Sequence, residues 1–236
     1  MKQPANWLLA AFFMAAALNL LAENLDSRTL LFATKPLLLP LLAAWFWLET
    51  RAAPAIFSRK MWLAGMVFSW LGDVLLMCQE TGGGSLFFML GLGSFLVAQL
   101  LYATAFIRFP TGGASFLWKN GWLLLPFALF LAGFLKFLWP GLPDEMKLPV
   151  SFYGFAILTM AVSSLTFFGK TDRLTAWMVF AGALLFVKSD CLLAVNKFSQ
   201  PFGHAHEAIM LTYLAGQFLI ASGALRALKK KDQPAG

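Results

Sequence analysis

Eight apolar runs, each about 16 to 23 residues long, divide the chain from end to end. A helix rises about 1.5 Å per residue, so runs of this length match the roughly 30 Å of hydrocarbon in a bilayer. They fall near residues 7–23, 30–48, 61–78, 85–107, 121–138, 149–168, 174–196 and 207–227. The breaks carry turn and charge signals, and none is long enough to hold a soluble domain. The expected fold is therefore an all-α polytopic membrane protein, one eight-helix domain over residues 1–236. Composition agrees: 60% of residues are hydrophobic and 12% charged, about half the charged share of a soluble domain. Lipid can solvate the outer faces of such helices, where water could not. The first run, from Trp7 to Ala22, is expected to stay as a helix, because no small-residue cleavage site leads into a polar segment.

Lysine and arginine set the expected orientation. Twelve lie at the N-terminus, in the second, fourth and sixth loops and in the C-terminal tail, against four in the other loops and their edges. The basic side is the cytoplasmic side, so both termini are expected in the cytoplasm, in a bacterial inner membrane. This distribution also explains the net charge of +7 without nucleic acid, and no protein partner is implied. Cys78 and Cys191 have neither metal-ligand spacing nor a disulfide framework. His204 and His206 with Glu207 read as solvated loop residues. Gly82–Gly84 reads as a turn, since no Lys-Ser/Thr follows to make a phosphate cradle. Most of the nine Trp and 25 Phe are expected at lipid or interface.

Aligning the third and seventh runs on their aspartates exposes a repeat. Gly65 to Asp73 and Gly182 to Asp190 have equal spacing, and each Asp follows a small residue and precedes an apolar residue and a Leu-Leu pair. Ser94-Phe-Leu-Val-Ala-Gln99 matches Thr212-Tyr-Leu-Ala-Gly-Gln217, and nine residues after each Gln stands Arg108 or Arg226. Two four-helix pseudo-repeats, about 1–110 and 121–228, are expected. With four helices per unit the copies keep one orientation, related by an axis along the membrane normal.

Depth follows from helix rise. Asp73, Asp190, Lys35, Asn19 and Tyr213 each lie about 7 to 10 Å from the outer end of their spans, with Gln217 deeper. An intramembrane ionisable residue costs about 2.5–3.5 kcal/mol on insertion scales, so a layer of them marks a site. A lone Asp can be a helix–helix contact, Lys35 can snorkel, and Gln99 and Gln217 can be packing glue. Pro36 beside Lys35 implies a bent helix with freed carbonyls. Lys188, two residues from Asp190, points roughly 200° away from it.

These residues carry a resemblance. Lys35-Pro36, Phe68-Ser69-Trp-Leu-Gly72-Asp73-Val-Leu-Leu76, Ser189-Asp190-Cys-Leu-Leu193 and Tyr213-x-x-x-Gln217 resemble the YhhN family of lysoplasmalogenases, over nearly the whole chain. The resemblance implies an eight-helix membrane hydrolase. Its reaction cleaves the vinyl ether bond of lysoplasmalogen to a fatty aldehyde and glycerophosphoethanolamine or glycerophosphocholine, with no cofactor or metal and a lysophospholipid drawn from the membrane. That chemistry needs a carboxylic acid to protonate the carbon β to the oxygen, and a carboxylate to steady the oxocarbenium-like ion and activate water. Asp73 and Asp190 would be the catalytic pair, sharing a proton, with the roles unassigned. Lys35 would bind phosphate or tune the pair. Tyr213, Asn19, Ser189 and Gln217 would line the substrate site. The competing reading is a small-solute or ion transporter using the same carboxylates, although neither Asp run carries the Gly/Pro interruption of a broken transport helix.

Overall fold

The structure is a computed structural model, and it describes residues 4–25, 27–51, 57–110 and 116–231. Eight long helices are present: α1 (Pro4–Asn24), α2 (Arg28–Thr50), α3 (Phe57–Cys78), α4 (Gly84–Ile107), α5 (Leu124–Leu138), α6 (Asp144–Ser164), α7 (Arg173–Phe198) and α8 (Ala205–Lys231). All eight are long and apolar enough to cross a membrane, α5 with the help of single 3-10 turns at either end. The all-α, eight-span expectation holds. A short helical piece, Phe116–Lys119, in the α4–α5 connection was not anticipated. Lys2, counted for orientation, lies outside the described residues, as do parts of the second and fourth loops.

The helices pair as hairpins, α1 with α2, α3 with α4 and α7 with α8. Helix α2 also packs on α3 and α8, and α6 on α4 and α7, so six helices close a ring with α1 and α5 outside it. Small residues allow the closest approaches. A Cβ on Gly182 would lie 2.9 Å from the Gly216 carbonyl oxygen, and one on Gly216 would lie 2.9 Å from that of Gly182. In the α3–α4 hairpin the corresponding space is taken by rings, Tyr102 over Gly65 and Phe95 over Gly72. Serines tie both hairpins: Ser94 Oγ donates to the Phe68 carbonyl (2.6 Å) and Ser189 Oγ to the Ile209 carbonyl (3.0 Å).

Helix α2 holds Pro36 and Pro40. A proline has no N–H, so Pro40 leaves the carbonyl four residues earlier, that of Pro36, without its helical partner. The Trp70 indole N–H fills that vacancy at 2.9 Å. The freed carbonyl is thus used to lock α2 against α3 one residue from Lys35.

At the end where α7 begins and α8 finishes, Asp172 caps α7. Its carboxylate accepts from the Thr175 N–H (3.3 Å) and hydroxyl (2.5 Å), and pairs with Lys230 (3.0 Å) and Arg226 (3.4 Å). Burial pushes this carboxyl up, but the Thr175 and Lys230 hydrogen bonds and the Arg226 charge outweigh it and hold it well below the usual carboxylate range. In that same half of the bundle the interior is aromatic. Tyr102, Phe106, Phe167, Phe109, Trp62 and Phe46, all buried, pack with centroids 5.3 to 6.5 Å apart. These rings face inward, as a minority of the chain's Trp and Phe side chains do.

Candidate active site

The polar layer expected from depth surrounds a cavity of about 460 Å³ in the opposite half, below the α7–α8 loop. That volume falls in the usual range for small-molecule pockets, about 300–1,000 Å³. Lys35 from α2, Asp73 from α3, Ser189 and Asp190 from α7, and Tyr213 from α8 line it. The mouth is formed by Asn196, Phe202, Gly203, His204 and His206. Asn196 shapes it by accepting the Phe202 N–H at 3.2 Å, and His204, with φ +57°, turns the chain into α8. Five of the seven residues expected at the site therefore share one cavity.

Gln217 and Asn19 do not line it. Gln217 is fully buried behind Asp73, where it accepts the Tyr102 hydroxyl (2.7 Å) and donates to Ser69 Oγ (3.0 Å). Both ends of its amide are thus engaged with protein, and its place is in the wall. Asn19 is also fully buried: it donates to Thr34 Oγ1 (3.0 Å), while its Oδ1 lies 3.4 Å from His206 Nε2. It reaches the cavity only through His206.

Each aspartate is held by one tyrosine. Tyr213 donates to Asp73 Oδ2 at 2.8 Å, and Tyr153 of α6 donates to Asp190 Oδ2. Tyr153 was missed in the sequence. It stands 118 residues after Lys35, the offset that separates Ser94 from Thr212, so the repeat carried through the second helix of each unit would have found it.

The aspartates differ in their other neighbours. Asp73 is 4% exposed and faces the polar cavity, where Lys35, itself 7% exposed, is the nearby cation acting on it. Lys35 makes no ion pair or hydrogen bond among the described residues, so its ammonium is available to a ligand. Asp190 sits on a boundary. It lines the polar cavity and also a small crevice of about 40 Å³, whose other walls include Leu76, Leu92, Phe95, Val150, Leu193 and the Tyr153 ring. Phe88, Phe198 and Lys197 close the crevice's outer end, with the Lys197 ammonium 4.2 Å from the centre of the Phe88 ring. Among the described residues no three His, Cys, Asp or Glu side chains gather as a metal ion would require.

Two carboxylates, each held by a tyrosine, thus line one cavity between helices long and apolar enough to cross a membrane. A family model for YhhN proteins matches residues 30–224. The chain belongs to the YhhN family. Lysoplasmalogenase TMEM86A of Bos taurus is 32% identical over 196 residues, covering 80% of this chain and 76% of the bovine protein. Lysoplasmalogenase TMEM86B of Sus scrofa is 31% identical over 223 residues, 94% of this chain and 88% of the porcine one. Lysoplasmalogenase TMEM86B of Homo sapiens is 36% identical over 156 residues, 64% and 62% of the two chains. No solved structure matches. This YhhN protein thus has relatives named lysoplasmalogenase, and its cavity lies where its own two aspartate motifs meet.

Proposed function

We propose that this YhhN protein hydrolyses the vinyl ether bond of lysoplasmalogen, with Asp73 and Asp190 as the acid–base pair. The observation that carries the reading is the cavity itself, because both carboxylates line one space that also holds an unpaired lysine. Protonation of the alkenyl carbon β to oxygen, addition of water and collapse of the hemiacetal need one acid and one base, and nothing further from the protein. Lys35 and His206 stand near the mouth side of the pair, suited to the phosphate of a lysolipid headgroup. Tyr213 and Tyr153 fix one oxygen of each carboxylate, leaving the other to the substrate. Ser189 acts on the wall, by tying α7 to α8 beside Asp190.

The remaining topology belongs to the same proposal. Both termini lie in the cytoplasm of a bacterial inner membrane, which puts the cavity in the outer leaflet half. The chain is one domain of two parallel four-helix repeats. The packing supports this, because α2 meets α8 as α6 meets α4, the pattern a twofold axis along the membrane normal produces.

The experiment is aldehyde release from purified protein with 1-alkenyl lysophosphatidylethanolamine, in detergent, with and without a chelator. Turnover unaffected by chelator, and run in D2O giving an aldehyde with one deuterium on the carbon next to the carbonyl, is expected. No aldehyde from well-folded protein would sink the proposal.

A further inference from the structure

Resting on that reading, we infer that the two aspartates have fixed and different roles: Asp190 delivers the proton to carbon, and Asp73 handles water. Two independent features lead to the same assignment.

The first is the division of space. The substrate is amphipathic, with a charged headgroup on the oxygen side of the vinyl ether and an alkyl chain on the other. The polar cavity, with Lys35 and His206, fits the headgroup, and the crevice, walled mainly by apolar side chains, fits hydrocarbon. Among the described residues Asp190 is the one carboxylate that lines both, so the reacting double bond belongs beside it. Within the bond, the β-carbon carries the alkyl chain and lies on the crevice side. The α-carbon carries the ether oxygen and lies on the cavity side. Protonation occurs at the β-carbon, where Asp190 stands, and water must reach the α-carbon, which looks toward Asp73. At about 40 Å³ the crevice holds the carbons next to the bond rather than a whole chain, which is enough to set this orientation.

The second feature is charge. Asp73 shares its cavity with Lys35 of α2, alongside His206 and Tyr213 of α8, so a carboxylate there has a cation beside it. Asp190 faces Tyr153 of α6 and apolar side chains of α3 and α4. The two lysines near it along α7 lie elsewhere: Lys188 lines a separate crevice against α5 and α6, and Lys197, two turns on, has its ammonium over Phe88. With Lys35 beside Asp73 and hydrocarbon beside Asp190, we assign the shared proton to Asp190.

The steps then balance. The Asp190 proton passes to the β-carbon as the double-bond electrons form the new C–H bond, and the ether oxygen's lone pair closes an oxocarbenium ion. Water adds at the α-carbon and loses a proton to the Asp73 carboxylate. In the hemiacetal, Asp73 returns that proton to the ether oxygen as its bond to carbon breaks. The Asp190 carboxylate takes the hydroxyl proton as the aldehyde forms. Both aspartates end as they began, with one water consumed.

Anion capture tests the assignment. Asp73→Ala leaves space beside the α-carbon while keeping the acid, so azide should add to the oxocarbenium ion and give an azido ether, heavier than the substrate by one HN3. Asp190→Ala lacks the proton donor, forms no cation and should give no adduct. The expected contrast is about 100-fold in adduct formed by the two variants at equal protein, read by mass spectrometry with the alkenyl lysolipid and sodium azide. If either alanine variant is not monodisperse, the Asp→Ser pair replaces it. With active wild-type enzyme, adduct from Asp190→Ala alone, from both variants or from neither overturns the division of roles. An inactive wild type instead removes the function on which it rests.

Discussion

Gly72-Asp73-Val-Leu-Leu76 and Ser189-Asp190-Cys-Leu-Leu193 are almost the same pentapeptide, yet the two aspartates have unlike surroundings. Asp73 has Tyr213 as its hydrogen-bond donor and Lys35 as its cation. Asp190 has Tyr153 as donor and a wall of hydrocarbon. The difference comes from the opposite helices. Where α2 supplies Lys35, the matched position of α6 supplies Tyr153; where α8 supplies Tyr213, α4 supplies Phe95. The motif sets depth and face, and the partner helices set chemistry. On the proposed two-repeat reading, a duplicated frame keeps its geometry while the two carboxylates diverge.

The strongest way to break this comparison is to neutralise each aspartate. Asp73→Asn and Asp190→Asn should each lower aldehyde release by about 10³-fold while the protein stays monodisperse in detergent. Near-normal turnover in either would end the paired mechanism. Lys35→Met separates the two sides next, since Lys35 is the cation that acts on Asp73. A loss of about 10- to 100-fold in kcat/KM is expected. A change confined to KM assigns Lys35 to the phosphate, and one confined to kcat assigns it to the aspartates. Tyr153→Phe and Tyr213→Phe remove one hydrogen bond from each carboxylate and should each lower kcat about tenfold. Unchanged kcat in both would mean that the tyrosines merely fill space.

Smaller effects concern stability. Gly216→Ala drives a methyl into the Gly182 backbone, which cannot turn aside, and should destabilise by about 1–3 kcal/mol, read as a lower thermal midpoint. Asp172→Ala removes a helix cap and two ion pairs at the far end, for about 1 kcal/mol, with kcat unchanged. The pH dependence of that contribution has a definite sign. The folded value lies below the ordinary 3.8, so the stabilisation is complete above it and is lost only as pH falls further, through the folded value. Between pH 5 and 8 the difference between wild type and Asp172→Ala should therefore be flat; a slope there would contradict the clamp.

Much of this was legible in the sequence because a bilayer restricts what a chain can do. Run length gave the eight helices, and the insertion cost of charge singled out Asp73, Asp190 and Lys35. Gln217 and Asn19 were rightly read as deep and polar, but depth alone does not tell a cavity wall from the side chain behind it. Tyr153 was missed because a tyrosine among apolar residues carries no charge to mark it. Pro40 was missed for another reason: its effect falls on the carbonyl of Pro36, and only the arrival of Trp70 from another helix gives that carbonyl a use.

The column of rings from Tyr102 to Phe46 has a consequence for the cell's energy supply. Carboxylates sunk in a membrane are a hazard wherever a gradient of protons is stored, because a file of water from one face to the other would short-circuit it. Here the pocket opens under the α7–α8 loop, and beneath it the bundle is filled by stacked aromatic side chains, Trp62, Phe106 and Phe167 with no exposed surface at all. Such a plug is an electrical insulator. In the proposed reaction the aspartates would pass protons to a substrate from the pocket side alone, and the ring column would leave them no path to the other face.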